Sequence, residues 1–189
     1  DRFVDGRPRA DGARAFLASR GIALAEGDAN DPPGADTIRR LTADKSELFE
    51  RFLRERGVAT YAHAIEFLRA VRAARRRKAI VSSSRHCREV IERAGIADLF
   101  DARVDGEIAD THHLLGKPAP DTYLAAARML GLAADACAVF EDAIAGVQAG
   151  RAGGFGFVVG IDRHGQAAAL RRGGADVVIA SFAELAVPS

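Results

Sequence analysis

The chain of 189 residues contains no tryptophan and two cysteines, Cys87 and Cys137. With so few thiols, a reduced, cytoplasmic setting is the default expectation. Cysteine is among the most buried residue types, so we expect both side chains to be buried rather than nucleophilic.

Long apolar runs and a charge excess are also lacking. No apolar stretch approaches the roughly 20 residues needed to cross a bilayer, and the first residues, D-R-F-V-D-G-R-P-R, are charged, unlike a secretory signal. Lys and Arg number 27 against 26 Asp and Glu, for a net charge of +1, which argues against electrostatic binding of nucleic acid. We therefore expect no membrane or nucleic-acid partner. A monomer or weak dimer is the default expectation, although the sequence does not determine the oligomeric state.

The N-terminal third has a helical pattern. Residues 10–20 carry apolar side chains at helical spacing and end at Gly21, and a second segment runs to Gly57. In that segment Ile38, Leu41, Leu48 and Phe52 share one face, and Lys45 falls on the same face. A charge on an apolar face suggests either a functional lysine or a lysine that extends to solvent at the edge of a core.

After a helix at about residues 62–75, the pattern changes to short β-branched runs separated by helices. The predicted strands are K-A-I-V-S-S-S, D-A-R-V, A-C-A-V-F, G-F-G-F-V-V-G and A-D-V-V-I-A. Strands that alternate with helices predict right-handed crossovers and a parallel sheet. We therefore expect a helical domain over residues 1–60 and an α/β core over residues 61–189.

Polar residues at the carboxyl ends of parallel strands are the first candidates for a site, because ligands bind there in open sheets. The triplet Ser82, Ser83 and Ser84, followed by Arg85, offers hydroxyl and backbone N–H groups suited to a phosphate. Capping of the next helix by Ser84 is the alternative interpretation. In G-K-P-A-P-D, residues 116–121, two prolines stiffen the approach of Lys117 to a helix start.

Glu141 and Asp142 end the strand A-C-A-V-F. Adjacent carboxylates repel each other unless a cation or a shared proton compensates. Two hard oxygen donors suit Mg²⁺, which keeps water ligands and commonly bridges to a substrate phosphate. One of the two carboxylates could also cap the helix that begins near Ala143.

In this order and spacing, S-S-S-R, G-K-P-A-P-D and F-E-D-A-I-A-G-V-Q-A-G resemble motifs two, three and four of the haloacid dehalogenase-like phosphotransferases, in particular the β-phosphoglucomutase group. The resemblance covers essentially the whole chain, including V-D-G-R-P-R-A-D-G near the start. It implies a Rossmann-like parallel-sheet core with a helical cap, and Mg²⁺-dependent phosphoryl transfer on a sugar phosphate.

The resemblance also implies roles for individual residues. Ser82 would hydrogen-bond the transferring phosphoryl group and Lys117 would neutralise it, while Glu141 and Asp142 would hold Mg²⁺. The remaining candidates would bind substrate, with Lys45 facing the site from the cap and the others near the distal phosphate: Arg9, Lys45, Ser83, Ser84 and Arg85.

The family's nucleophile, the first aspartate of a D-x-D motif on the first core strand, has no counterpart in the 189 residues, because no two aspartates are spaced i, i+2. The family's first cap helix also has no counterpart in this sequence. We expect the chain to be part of a longer protein; a shortened product without a nucleophile is the alternative. Without this central strand, neighbouring strand edges would stay unpaired beside a groove.

The function implied is that of a β-phosphoglucomutase, which interconverts β-glucose 1-phosphate and glucose 6-phosphate through an aspartyl-phosphate. A sugar-phosphate phosphatase of the same fold is the first alternative. A truncated, non-catalytic phosphate-binding protein is the second.

Overall fold

The computed structural model describes residues 4–185. Its N-terminal part contains helices α1 (Arg9–Ala18) and α2 (Ile38–Arg56), which pack against each other. The hydroxyl oxygen of Thr37 accepts a hydrogen bond from the backbone N of Arg40 at 3.0 Å and so caps the start of α2. Gly57 ends this helix with a φ of 69°, a conformation that glycine adopts without steric cost.

The predicted apolar face of α2 is only partly buried. Ile38 is buried at 3% exposure, but Leu41, Leu48 and Phe52 are 43%, 56% and 54% exposed. The other buried residue of this helix is Leu53, which lies beside the predicted stripe. Helical spacing identifies residues that share a face, but coverage of that face depends on which element packs there.

The rest of the chain alternates helices with strands, as the sequence predicts. The helices are α3 (Ala62–Ala73), α4 (Cys87–Arg93), α5 (Gly106–Thr111), α6 (Asp121–Met129), α7 (Ile144–Ala152) and α8 (Ala167–Gly173). The strands are β1 (Ala79–Val81), β2 (Ala102–Val104), β3 (Ala138–Glu141), β4 (Phe157–Ile161) and β5 (Val177–Ile179). Short 3-10 turns cover Ala97–Leu99, Ala134–Ala136 and Phe182–Glu184. The helix α5 was not predicted.

All strand pairs are parallel, which confirms the expected fold class, an α/β core with helices. Within residues 4–185 they form two separate sheets, β1–β2 and β3–β4–β5. A largely apolar groove of about 710 Å³ runs beside β1 and β3 and is lined by both strands, by α3 and by α6. The expected groove between unpaired strand edges is therefore present.

The core centres on β4, which lies between β3 and β5. Val147 of α7, Val158 of β4 and Leu170 of α8 are fully buried. A Cβ placed on Gly150 of α7 would lie 3.2 Å from a methyl carbon of Val158, so a small residue here lets the helix approach the sheet closely. This packing fixes the end of β3 that carries Glu141. Among residues 4–185, no helix is both long and apolar enough to span a membrane.

Candidate functional site

A pocket of about 600 Å³ opens at the carboxyl ends of β1, β3 and β4. It gathers eight of the nine residues predicted for the site, namely Arg9, Lys45, Ser82, Ser83, Ser84, Lys117, Glu141 and Asp142. These residues come from the N-terminal helices, the loop after β1, the loop before α6 and the end of β3. Parallel strands place their carboxyl ends on one edge, which is why distant segments meet here.

Each carboxylate oxygen of Glu141 accepts two hydrogen bonds. Its Oε2 accepts hydrogen bonds from Nζ of Lys117 and from the hydroxyl of Tyr123, each at 2.5 Å. Its Oε1 accepts from the backbone N of Asp142 at 3.2 Å and of Ala143 at 3.0 Å. The side chains of Lys117 and Glu141 are 4% and 10% exposed, so this is a buried ion pair whose carboxylate accepts four hydrogen bonds.

The surroundings of Glu141 shift two pKa values in opposite directions. Burial raises the pKa of Glu141, but Lys117, the Tyr123 hydroxyl and the N–H of Ala143 outweigh it, so the net pKa lies below the ordinary value. Burial, and then the charge of Glu141, raise the pKa of Tyr123 well above its ordinary value. Glu141 therefore stays ionised and Tyr123 stays a hydrogen-bond donor.

Asp142 is more exposed than Glu141, at 49% of its side chain. Its Oδ2 accepts a hydrogen bond from Nε of Arg163 at 2.9 Å, and its backbone oxygen accepts from Nε2 of Gln166 at 2.9 Å. Burial and the neighbouring charge of Glu141 raise the pKa of Asp142, while Arg163 opposes this shift. The two adjacent carboxylates are thus each compensated by a different cation.

The serine triplet forms a turn at the end of β1. Oγ of Ser82 accepts from the backbone N of Ser84 at 3.1 Å, and Oγ of Ser84 accepts from the backbone N of His86 at 3.2 Å. Oγ of Ser83 donates to the carbonyl oxygen of Gly6 at 2.8 Å and so ties the core to the segment before α1. Capping of α4 by Ser84 is not observed, because its N-cap residue is His86.

Basic side chains line the opposite part of the pocket. Arg9, the first residue of α1, has a pKa lowered by burial and by the charge of Arg85, while Glu50 raises it. Lys45 lines the pocket from α2 and is exposed, as a lysine at the edge of a site would be. The Nε atom of Arg7 is buried, and within residues 4–185 it has no hydrogen-bond partner. A buried unpaired guanidinium nitrogen suits an anionic ligand.

Arg85 is the one predicted residue that does not line the pocket. Its side chain is 67% exposed, and its Nη1 lies 3.5 Å from Oδ2 of Asp110 at the end of α5. Arg85 thus lies beside α5, a helix that was not predicted, although its charge still acts on Arg9 in the pocket.

The chemistry of the donors decides whether Mg²⁺ fits this site. Among the described residues, no three His, Cys, Asp or Glu side chains form a group able to hold a metal. Mg²⁺ needs fewer protein ligands, since one or two carboxylates, water and a phosphate oxygen suffice. Asp142 meets this requirement, whereas Glu141 would first have to release one of its four donors. The residues present therefore fit Mg²⁺ through Asp142.

Three residues of the site were missed from the sequence, namely Arg7, Tyr123 and Arg163. Arg7 could have been found, because it stands beside Arg9 in the quoted segment V-D-G-R-P-R. Tyr123 lies six positions after Lys117 and looks like an ordinary residue of an apolar helix. Arg163 contacts the site because Glu141 pairs with Gly160 in the sheet, and this register was not known from the sequence.

Comparisons with known proteins agree with the motifs. The family model described as haloacid dehalogenase-like hydrolase matches residues 6–154. A β-phosphoglucomutase of Mycobacterium bovis is 47% identical over 186 residues, which is 97% of this chain and 71% of the relative.

Two solved structures extend the comparison. A haloacid dehalogenase family hydrolase of Deinococcus radiodurans, solved with bound phosphate and sodium, has a TM-score of 0.66 at 31% identity, covering 96% of this chain and 75% of that one. A β-phosphoglucomutase of Clostridium difficile has a TM-score of 0.76 at 20% identity, covering 97% and 75%, and shows the likeness of fold. The chain belongs to the haloacid dehalogenase-like hydrolase family, in its β-phosphoglucomutase-like group.

Proposed function

We propose that this pocket serves Mg²⁺-dependent phosphoryl transfer on a sugar phosphate, with β-glucose 1-phosphate converted to glucose 6-phosphate. The observation that carries the proposal is the convergence of Ser82, Lys117, Glu141 and Asp142 on a pocket that also holds basic side chains from the N-terminal helices. Phosphoryl transfer depends mainly on positioning and charge stabilisation, and these are the properties that such a set supplies. The 47% identity to a β-phosphoglucomutase supports this substrate.

The residues divide the work by position. Ser82 donates its hydroxyl to the transferring phosphoryl group, and Lys117, held by Glu141, neutralises the charge on its oxygens. Asp142 would hold the metal ion, and Glu141 would be a second ligand only if it gave up one of its four hydrogen-bond donors. When bound, Mg²⁺ supplies positive charge next to the phosphoryl oxygens.

A mutase also needs a site for the second phosphate. Arg9, Lys45 and Ser84 line the pocket and can bind this group through N–H and O–H donors, and Ser83 can join them once its hydroxyl leaves the carbonyl oxygen of Gly6. Arg85 can join them only after it leaves Asp110, from which it is 3.5 Å away. In this scheme residues 1–60 act as a cap over the core of residues 61–189, and cap closure excludes water from the reaction.

A sugar-phosphate phosphatase is the second candidate, since the matching family model and the Deinococcus radiodurans relative are both described as hydrolases. The two activities differ in the acceptor, which is a sugar hydroxyl in the mutase and water in the phosphatase. The same pocket residues would act in both.

An assay of product identity tests the proposal. The family's aspartate nucleophile has no counterpart in the 189 residues, so the assay uses protein expressed from its complete reading frame. β-Glucose 1-phosphate is supplied with Mg²⁺ and a trace of glucose 1,6-bisphosphate, and both glucose 6-phosphate and inorganic phosphate are measured. Formation of glucose 6-phosphate supports the mutase, whereas release of inorganic phosphate without it supports the phosphatase.

A pair of serine variants tests whether the pocket carries the activity. Ser82→Ala is expected to lower kcat about a hundredfold, because it removes one donor to the transferring group. Ser19→Ala is the matched control, since Ser19 is an exposed residue at the end of α1 that donates to the carbonyl oxygen of Phe16. Equal activity of the two variants would contradict the role of Ser82.

A further inference from the structure

Arg163 bridges the candidate metal ligand and the linker between the helical segment and the core. It follows β4, and Asp142 follows β3, so the register of Glu141 with Gly160 brings both side chains to one edge of the sheet. The Nε atom of Arg163 donates to Oδ2 of Asp142 at 2.9 Å, and the side chain of Arg163 is 21% exposed.

A second contact holds Arg163 from the other side. Its guanidinium carbon lies 3.8 Å from the ring centroid of Tyr61, the residue that precedes α3. A guanidinium over an aromatic face is attracted by the ring quadrupole. Among the described residues, Asp142 accepts a hydrogen bond from Nε of Arg163 but not from its two terminal nitrogens. These two nitrogens can therefore donate to another acceptor.

The cation beside Asp142 disfavours a divalent cation that arrives alone. Arg163 donates to Oδ2 of Asp142 at 2.9 Å. A divalent cation at Asp142 would compete for the same carboxylate and repel the adjacent Arg163. A phosphate brings about two negative charges at neutral pH and offers Arg163 a new acceptor.

We propose that Arg163 exchanges partners, binding Asp142 when no phosphate is present and binding phosphate when a divalent cation takes Asp142. Arg163 thereby makes cation binding depend on phosphate. The inference rests on the proposed function in one respect, that the pocket receives a phosphate. Tyr61 keeps the guanidinium within reach of both acceptors, because it holds the planar group by its face rather than by its N–H donors.

Isothermal titration calorimetry with MgCl₂, with and without inorganic phosphate, tests this exchange in protein expressed from its complete reading frame. In the wild type, phosphate is expected to raise the Mg²⁺ affinity about tenfold, and Mg²⁺ to raise the phosphate affinity by the same factor. In Arg163→Gln, Mg²⁺ is expected to bind about fivefold more tightly without phosphate, and most of the enhancement by phosphate is lost.

Two further variants sharpen the result. Arg163→Lys keeps the positive charge but loses the planar guanidinium. Without phosphate, this variant should therefore bind Mg²⁺ more weakly than Arg163→Gln does. Arg88→Gln removes an exposed arginine of α4 and should match the wild type, which separates a local effect from a change in overall charge. Circular dichroism confirms that each variant is folded.

The outcomes separate the exchange from the proposed function. Weaker Mg²⁺ binding by Arg163→Gln without phosphate would mean that Arg163 merely orients Asp142, and it would overturn the exchange. An unchanged enhancement by phosphate in this variant would overturn it as well. Failure of the wild type to bind Mg²⁺ even with phosphate would overturn the proposed use of the whole pocket.

Discussion

Lys117 and Glu141 form an ion pair almost fully removed from solvent, with 2.5 Å between Nζ and Oε2. The ammonium group also lies 4.7 Å from the ring centroid of Tyr123, which donates to the same carboxylate oxygen. A lysine that serves the chemistry is therefore also part of the core, so its substitution should change stability and activity together.

Lys117→Met is expected to lower the free energy of unfolding by about 3–5 kcal/mol, because it leaves the buried carboxylate of Glu141 without its cation. Urea denaturation measures this change. The double variant Lys117→Met/Glu141→Gln is the control, since it removes both charges and should recover part of the loss. A double variant no more stable than the single one would contradict the compensation.

Tyr123→Phe is expected to change the dependence of stability on pH. The folded-state pKa of Glu141 is depressed, so its contribution is present above the unfolded pKa and is lost as the pH falls through the folded pKa. Removal of the Tyr123 hydroxyl removes one cause of the depression, so the loss should begin at a higher pH in the variant. Thermal unfolding at a series of acidic pH values measures the shift. Tyr61→Phe, at the other tyrosine, should follow the wild type.

The two thiols should differ in reactivity. Cys87 is 4% exposed, and burial, with a smaller effect of Asp105, raises its pKa to about 11. Cys137 was also expected to be buried but is only half-buried, although burial still raises its pKa. With Ellman's reagent at pH 8 we expect slow labelling of Cys137 and labelling of Cys87 only in denaturant. Fast labelling of folded Cys137→Ala, which retains Cys87 alone, would contradict this.

Arg103→Leu should destabilise the protein by about 3 kcal/mol, because it leaves the fully buried Asp105 without a cation. Nη1 of Arg103 lies 3.0 Å from Oδ2 of Asp105, whose Oδ1 accepts from the backbone N of Ile108 and caps α5. Adding Asp105→Asn keeps an oxygen for the cap and removes the charge, so it should restore stability in urea denaturation. Additive losses would show that the two residues are not coupled.

The sequence predicted the strands and the convergence of the site well. Short β-branched runs between helices mark buried parallel strands, and the carboxyl ends of such strands share one edge. We could therefore predict, without any knowledge of distances, that Ser82, Lys117 and Asp142 lie close together. The pocket also receives Lys45, whose position on an apolar stripe was a visible anomaly in the sequence.

The partners of the site residues could not be predicted in the same way. The contact between Arg163 and Asp142 depends on the register of β3 against β4, and that of Tyr123 with Glu141 depends on how α6 packs. The contact of Arg85 with Asp110 could not be predicted either, because α5, which supplies Asp110, has no clear periodic signal in the sequence. Patterns along the chain identify elements, whereas pairings between elements depend on packing.

The groove beside β1 and β3 has a consequence for the cooperativity of the molecule. No strand hydrogen bonds join the two sheets within residues 4–185, while α6 contacts both β1 and β2 and also packs against α7. Helix α6 is therefore one link between the two sheets, and α3, which precedes β1, is another, since the ring of its Phe67 lies 5.2 Å from that of Phe140 on β3. Lys117 and Tyr123 flank the start of α6 and both contact Glu141 on β3, so the ion pair of the site strengthens the first link.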